Sequence, residues 1–277
     1  MHPRSYQLED LLYLMQRLRD PEHGCPWDIE QSFASIVPHT LEEVYEVVDA
    51  IEREDFAHLP SELGDLLFQV VYYAQLGKEQ HNFDFSSIVD NITRKLIRRH
   101  PHVFPDGDLY GSTGVPRLAE SAIKQRWEEI KAQERAEQST QPEQLSLLDD
   151  VPNALPSMTR AIKLQKRAAS VGFDWQQTEP IFAKLAEETQ ELQEAIASGV
   201  YTDMQAELGD LLFVVTNLAR HLKIDPDQAL RQTNQKFERR FRFIEQHMQA
   251  AGKALQSATL EELDALWDQA KLQENKA

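Results

Sequence analysis

One seven-residue segment, ELGDLLF, occurs twice in this chain, at residues 62–68 and again at residues 207–213. The offset that aligns the two copies also aligns residues 42–70 with residues 187–215 without a gap, and 13 of those 29 positions are identical. A match of this length indicates an internal duplication. The chain of 277 residues is therefore predicted to contain two copies of one domain.

The duplication continues downstream of this segment. KLIRR at residues 95–99 matches KFERR at residues 236–240, and WEEIKAQE at residues 127–134 matches WDQAKLQE at residues 267–274. Between the copies the chain is rich in Gln, Ser, Asp and Pro and lacks apolar periodicity, as linkers do. The predicted boundaries are a first domain at residues 1–135, a linker at residues 136–154 and a second domain at residues 155–277.

Apolar residues at helical spacing predict four main helices in each copy. In the first copy they are expected near Leu8–Leu18, through Glu42–Ile51, from about Ser61 to Leu76, and over a segment that stops before Pro101. The last helix stops there because a residue that precedes proline disfavours helix. No convincing alternating strand pattern is found, so the predicted fold class is all-α, with two tandem four-helix domains.

The composition excludes several classes of partner. A formal net charge of -17 disfavours nucleic acid, because an acidic surface repels phosphates. The single cysteine, Cys25, cannot form an internal disulfide, which favours a reducing compartment. Because the N-terminus lacks the apolar core of a signal peptide and no apolar stretch is long enough to span a bilayer, we expect a cytoplasmic protein without a membrane partner.

Two neighbouring helices of the first copy carry acidic residues on shared faces. Glu42 and Glu46 lie on one narrow face with Glu43 at its edge, a pattern that by itself is typical of a solvated helix. Glu62 and Asp65 share a face of a helix whose remaining residues are mostly apolar, so that helix is expected to be largely buried. Carboxylates there are costly unless they are paired, hydrogen-bonded or bound to a metal.

Both copies keep these carboxylates while neighbouring positions differ, which favours a function for them. Four carboxylates on two adjacent short helices suit Mg²⁺, which takes oxygen ligands. Zinc and di-iron sites are disfavoured, because no Cys or His lies at ligand spacing and no Glu-x-x-His motif occurs.

Basic and aromatic residues recur downstream of the carboxylates. Lys236 and Arg240 share a helix face beside Arg239, which suggests phosphate binding. The alternative for these cations is a solvated face or pairing with a helix dipole. A tryptophan and a lysine four residues apart also recur, and such a tryptophan is either a stacking surface or a core residue.

These motifs together resemble a known family. Glu-Glu-x-x-Glu followed by Glu-x-x-Asp is similar to the signature of the all-α nucleoside triphosphate pyrophosphohydrolases. GCPWD at residues 24–28, RRHPHVF at residues 98–104 and the segment at residues 151–175 resemble the MazG branch of that superfamily.

The resemblance implies Mg²⁺-dependent hydrolysis of nucleoside triphosphates, ribo- and deoxyribo-, to monophosphate and pyrophosphate, with Mn²⁺ as an alternative ion. It implies a role in clearing aberrant nucleotides, helix bundles completed by homodimerisation, and catalysis in the C-terminal domain.

The resemblance also implies a lysine upstream of the glutamate pair, which the second copy has in Lys184, four residues before Glu188, whereas the first copy has His39 at this position. Catalysis is therefore assigned to the second copy, where Glu187 or Glu188 acts on the attacking water beside Lys184. The predicted metal ligands are Glu188, Glu191, Glu207 and Asp210, and the predicted substrate-binding residues are Lys184, Lys236, Arg239, Arg240, Trp267 and Lys271. A second candidate site comprises Glu42, Glu43, Glu46, Glu62, Asp65, Lys95, Arg99, Trp127 and Lys131.

Two alternatives stay open at this point. One is a narrow-specificity enzyme of the same superfamily, acting on dUTP or a phosphoribosyl-nucleotide. The other is a non-catalytic, nucleotide-sensing helical scaffold, which would bind magnesium and nucleotide without turnover.

Overall fold

A computed structural model describes residues 5–112 and 151–274, and between them residues 119, 122–123, 126–127, 129–130, 133–134 and 146–149. Within these residues all regular structure is helical, which confirms the predicted fold class. The chain divides into two compact units, Met1–Gln138 and Ser139–Ala277. The finer domain limits predicted above stay a prediction, since most of the predicted linker lies outside the described residues.

Among its described residues, the first unit contains the four predicted helices, one additional short helix and further helical residues between 122 and 134. Ser32 caps the helix that carries Glu43 by accepting a hydrogen bond from the Ser35 amide, so this helix begins ten residues upstream of Glu43 and contains Pro38. Asp84 caps the helix Phe85–Arg99 in the same way. The helices are α1 (Leu8–Leu18), α2 (Pro26–Glu30), α3 (Phe33–Glu52), α4 (Leu59–Glu79) and α5 (Phe85–Arg99).

The second unit repeats the order of the four main helices, without a helix at the place of α2 in its described residues. Gly199 adopts a left-handed conformation (φ 73°) after one helix, and the next helix starts two residues later, which forms a tight helical hairpin. The helices are α6 (Ser157–Ala169), α7 (Glu179–Ser198), α8 (Tyr201–His221), α9 (Pro226–Ala250) and α10 (Leu260–Glu274), with a 3-10 turn at Leu255–Ser257.

Equivalent helices pack together in both units. In the first unit α3 packs along α4, and α1 and α5 contact α4. In the second unit α7 packs along α8, α6 contacts α8, and α9 contacts α10 and α6. The core of the first unit consists of Met15, Ile36, Val71, Tyr72 and Leu76, with Phe68 and Phe85 against it.

The prediction that the ELGDLLF helix is largely buried is wrong for its first half. Leu63 on α4 is 48% exposed and Leu208 on α8 is 49% exposed. The residues that α4 contributes to the core begin only at Phe68. The apolar side chains that precede Phe68 on α4 therefore lie outside the core of their own unit. No helix in the described part of the chain combines the length and hydrophobicity that a bilayer span requires.

Candidate active site

Three carboxylates of the second unit converge between α7 and α8. One oxygen each from Glu188, Glu207 and Asp210 lies within 4.8 Å of the other two. The i, i+3 spacing places Glu207 and Asp210 on one face of α8, and the hairpin brings that face against α7. Glu188 is only 4% exposed, whereas Asp210 is open to solvent, so the cluster has a buried floor and an accessible edge.

Lys184 provides the positive charge next to this cluster. Its Nζ atom lies 2.7 Å from Oε1 of Glu188 and donates a hydrogen bond of 2.8 Å to Oε1 of Glu187. The hydrogen bond to Glu187, and then the contact with Glu188, raise the pKa of Lys184 above its ordinary range. The lysine is therefore a fixed ammonium group that bridges the two adjacent glutamates.

Glu191, the fourth predicted metal ligand, lies outside the converging group. It is exposed on α7, where partial desolvation and then the negative charge of Glu188 raise its pKa. The same causes, desolvation and then Glu43, raise the pKa of the equivalent Glu46 in the first unit. Desolvation is the larger cause of both shifts, and the second cause is repulsion between neighbouring carboxylates, which a bound cation would relieve.

The first unit has a matching cluster with different partners. One oxygen each from Glu43, Glu62 and Asp65 lies within 4.8 Å of the other two. Here Gln69, which is 6% exposed, donates a hydrogen bond of 3.3 Å from Nε2 to Glu43. His39 approaches Glu42 instead, with 3.9 Å between Nδ1 and Oε2. A neutral amide therefore contacts Glu43 where the second unit has an ammonium on Glu188.

The predicted substrate-binding residues of the second unit other than Lys184 form a separate group on α9 and α10. The Arg240 guanidinium lies over the Trp267 ring, 5.4 Å from its centroid, and Nε of Arg240 donates a hydrogen bond of 2.8 Å to Glu274. Lys236 is exposed, and Lys271 donates to Asp268 on its own helix. Among the described residues, no hydrogen bond or ion pair joins this group to the carboxylate cluster. Arg239 also faces Glu274, with 3.5 Å between Nε and Oε1.

The first unit repeats this second group. Glu134 accepts hydrogen bonds from Arg98 and Arg99, and the Arg99 guanidinium lies 5.6 Å from the centroid of the Trp127 ring. These contacts, foremost that with Arg99, lower the pKa of Glu134 from 4.5 to about 2. Lys95 is exposed on α5, and the predicted Lys131 lies outside the described residues.

Three of these interacting residues were missed in the sequence. Glu134 and Glu274 occupy the last identical position of the repeat that begins at Trp127 and Trp267, and that identity was the available signal. Gln69 aligns with Val214 of the second copy, so the sequence shows that a polar residue replaces an apolar one at this position. It does not show that Gln69 contacts Glu43.

The donor set of each cluster fits a hard divalent cation. All three groups in each are carboxylates, their oxygens are close enough to share one ion, and the exposed edge leaves room for water or phosphate ligands. Neither converging group contains His or Cys, so the chemistry of the donors favours Mg²⁺ over zinc.

Comparison with known proteins adds an independent observation. Residues 31–104 and 176–243 each match the MazG nucleotide pyrophosphohydrolase domain, and these two segments contain both carboxylate clusters. The chain belongs to the MazG family. This membership confirms the predicted family and the predicted enzyme class, a hydrolase acting on phosphoric anhydrides.

MazG relatives from three bacteria show how far the similarity extends. The chain is similar to the nucleoside triphosphate pyrophosphohydrolase of Escherichia coli (strain K12), with 50% identity over 270 residues that cover 97% of this chain and 98% of the relative. A nucleoside triphosphate pyrophosphohydrolase/pyrophosphatase MazG from Thermotoga maritima is 38% identical over 263 residues, 95% of each chain. A nucleoside triphosphate pyrophosphohydrolase from Mycobacterium tuberculosis is 33% identical over 171 residues, 61% of this chain and 47% of the relative.

Proposed function

We propose that this protein hydrolyses ribo- and deoxyribonucleoside triphosphates to nucleoside monophosphate and pyrophosphate, with Mg²⁺ held in the second unit, and so removes aberrant nucleotides from the nucleotide pool. The observation that carries the proposal is the converging group of Glu188, Glu207 and Asp210 with the ammonium of Lys184 beside it. The names of the relatives support the same reaction.

The residues of the second unit divide the work by position and charge. Glu188, Glu207 and Asp210 would hold the cation, with Glu191 available at the exposed edge. Bound Mg²⁺ supplies charge neutralisation on the phosphates and a more acidic water. Because Glu188 belongs to the converging group, the adjacent and exposed Glu187 is the better placed base for the attacking water.

Lys184 is the reason for placing turnover in the second unit. An ammonium held by two glutamates can contact an arriving phosphate without leaving the site, and it compensates the charge that develops during phosphoryl transfer. In the first unit Gln69 is a neutral partner of Glu43, and His39 approaches Glu42 rather than Glu43. Lys236 and Arg240 would bind phosphate oxygens in this proposal, and Trp267 the base.

A homodimer is part of the same proposal. Leu208, Leu212 and Phe213 of α8 are 43–49% exposed although they belong to the motif helix, and apolar groups on a packed helix normally lie against a partner. In this proposal a second copy covers this face of α8. The basic residues on α9 and α10 of one copy then lie closer to the carboxylate cluster of the other copy. Sedimentation of the purified chain at several concentrations measures the predicted mass.

Product analysis tests the proposed reaction. A nucleoside triphosphate is incubated with the protein and Mg²⁺, and the products are separated by anion exchange. We expect monophosphate and pyrophosphate in equal amounts, whereas diphosphate and orthophosphate would contradict the proposal. Nucleotide binding without any product would instead support the sensing scaffold, and turnover of one among eight common nucleotides would support a narrow-specificity enzyme.

A further inference from the structure

The last described residue of α10, Glu274, contacts Arg240, which the proposed function assigns to phosphate, and the adjacent Arg239. Nε and Nη2 of Arg240 each lie 2.8 Å from Oε2 of Glu274. Nε of Arg239 lies 3.5 Å from the other carboxylate oxygen. One carboxylate therefore ties two neighbouring cations of α9 to the end of α10.

These contacts fix the guanidinium of Arg240 on one edge and leave another edge open. The Trp267 ring covers its face at 5.4 Å, and the Arg240 side chain is only 17% exposed. Its Nη1 atom has no hydrogen-bond partner among the described residues. Because a guanidinium has five N–H donors in a rigid plane, it can keep the Glu274 contact and still bind a phosphate oxygen through Nη1.

The same arrangement occurs in the first unit, which argues against an accidental surface pair. Glu134 holds Arg98 and Arg99 through its two oxygens, and Arg99 lies over Trp127. Between the two eight-residue segments, Trp, Lys, Gln and Glu are identical while the other four positions differ. An ion pair that served only to dock a helix would require neither the tryptophan face nor the open edge.

We propose that Glu274 is a positioning residue for the triphosphate. It acts through Arg240, which it holds against Trp267 so that the open guanidinium edge is ordered before the nucleotide binds. This inference rests on the proposed function of the second unit. A preordered arginine loses less conformational freedom on binding, and the benefit therefore appears in KM rather than in kcat.

The test is steady-state kinetics of the full chain with Glu274→Ala. We expect KM for a nucleoside triphosphate to rise about tenfold, the effect of immobilising one long side chain, while kcat changes less than twofold. Glu274→Gln, whose amide oxygen still accepts the hydrogen bond from Nε, is expected to restore KM to within about threefold of the wild type. If the alanine variant does not fold, Glu274→Asp withdraws the carboxylate by one methylene group and carries the same test.

Glu134→Ala is the matched control, because it removes the equivalent contact from the first unit. We expect Glu134→Ala to lower Tm by about as much as Glu274→Ala does, and to leave KM unchanged. A double-mutant comparison tests whether Glu274 acts through Arg240: adding Glu274→Ala to Arg240→Ala is expected to change KM less than twofold.

Three results would overturn the inference. If Glu274→Ala leaves KM unchanged and lowers Tm as much as Glu134→Ala does, the Glu274–Arg240 ion pair is purely structural. A lower KM would show that Glu274 competes with phosphate for Arg240. A full tenfold effect in the Arg240→Ala background would show that Glu274 does not act through that arginine. Failure of the proposed function is distinguishable from all three, because the wild-type chain would then release no pyrophosphate.

Discussion

Replacing Glu188 by glutamine is expected to separate catalysis from stability. The substitution keeps the shape of a side chain that is 4% exposed and removes one negative charge. It removes two repulsions, with Glu207 and Asp210 within 4.8 Å, and one attraction, with Lys184 at 2.7 Å. Two unit charges 4 Å apart interact by about 4 kcal/mol at the effective dielectric constant of about 20 that suits a protein site. Because the single attraction acts over a shorter distance than the two repulsions, the three terms nearly cancel, and the free energy of unfolding is expected to change by about 1 kcal/mol.

The effect on turnover is expected to be much larger. Glutamine cannot supply the anionic oxygen that a magnesium ligand needs, and loss of one preorganised group at a developing charge costs about 100- to 1000-fold. We expect kcat/KM for pyrophosphate release to fall by about 1000-fold, the upper end of that range, which equals about 4 kcal/mol of transition-state stabilisation. Coupled-enzyme detection of pyrophosphate measures the rate, and thermal unfolding followed by circular dichroism measures Tm.

Glu43→Gln is the matched variant in the first unit, because Glu43 occupies the same motif position. It is expected to keep at least half of the wild-type rate. Full activity of Glu188→Gln would refute the assignment of the site. Loss of activity in Glu43→Gln alone would show that the two units have been assigned in reverse. A large drop in the Tm of Glu188→Gln would refute the charge balance used above.

The remaining predictions concern charge, metal and association. Lys184→Met is expected to lower kcat/KM by about 100-fold, and an unchanged rate would remove the case for the second unit. Calorimetric titration with Mg²⁺ is expected to show a site that Glu207→Gln weakens, and equal affinity in that variant would contradict the proposed ligand set. The pKa of Glu134 lies at about 2 in the folded chain against an ordinary 4.5, so its contribution to stability is complete above pH 4.5 and is lost as the pH falls toward 2. The Tm difference between wild type and Glu134→Gln is expected to shrink over that interval, and a constant difference would contradict the ion pair. Leu212→Glu is expected to shift the sedimenting species to a monomer, and a mutant of unchanged mass would exclude the α8 face as the interface.

The helices were predictable because their signals are local. Apolar spacing and the proline at position 101 identified α1, α4 and α5, and the capping serine at position 32 placed the start of α3 earlier than the acidic motif indicated. The burial of α4 was predicted wrongly for Leu63 because apolar periodicity reports that a helix face needs cover. It does not report whether the cover comes from the same unit.

The candidate site was predictable to the extent that it depends on repeated residues. Glu188, Glu207 and Asp210 have identical counterparts in the first copy. The i, i+3 spacing of Glu207 and Asp210 places both side chains on one face of their helix. The partners of these groups were not predictable, because they are tertiary contacts between residues far apart in sequence. Glu274 lies 34 residues after Arg240, and no local pattern states that the two side chains meet.

The position of an oxygen label tests the central claim most directly. Hydrolysis is carried out in ¹⁸O-enriched water with a nucleoside triphosphate and Mg²⁺, and the products are analysed by mass spectrometry. Attack on the α-phosphorus is expected to place one ¹⁸O atom in the nucleoside monophosphate and none in pyrophosphate, at a rate that Glu188→Gln abolishes. Labelled orthophosphate with unlabelled diphosphate would contradict the proposed pyrophosphohydrolase reaction of the second unit. Label in pyrophosphate would show attack on the β-phosphorus and would contradict attack on the α-phosphorus.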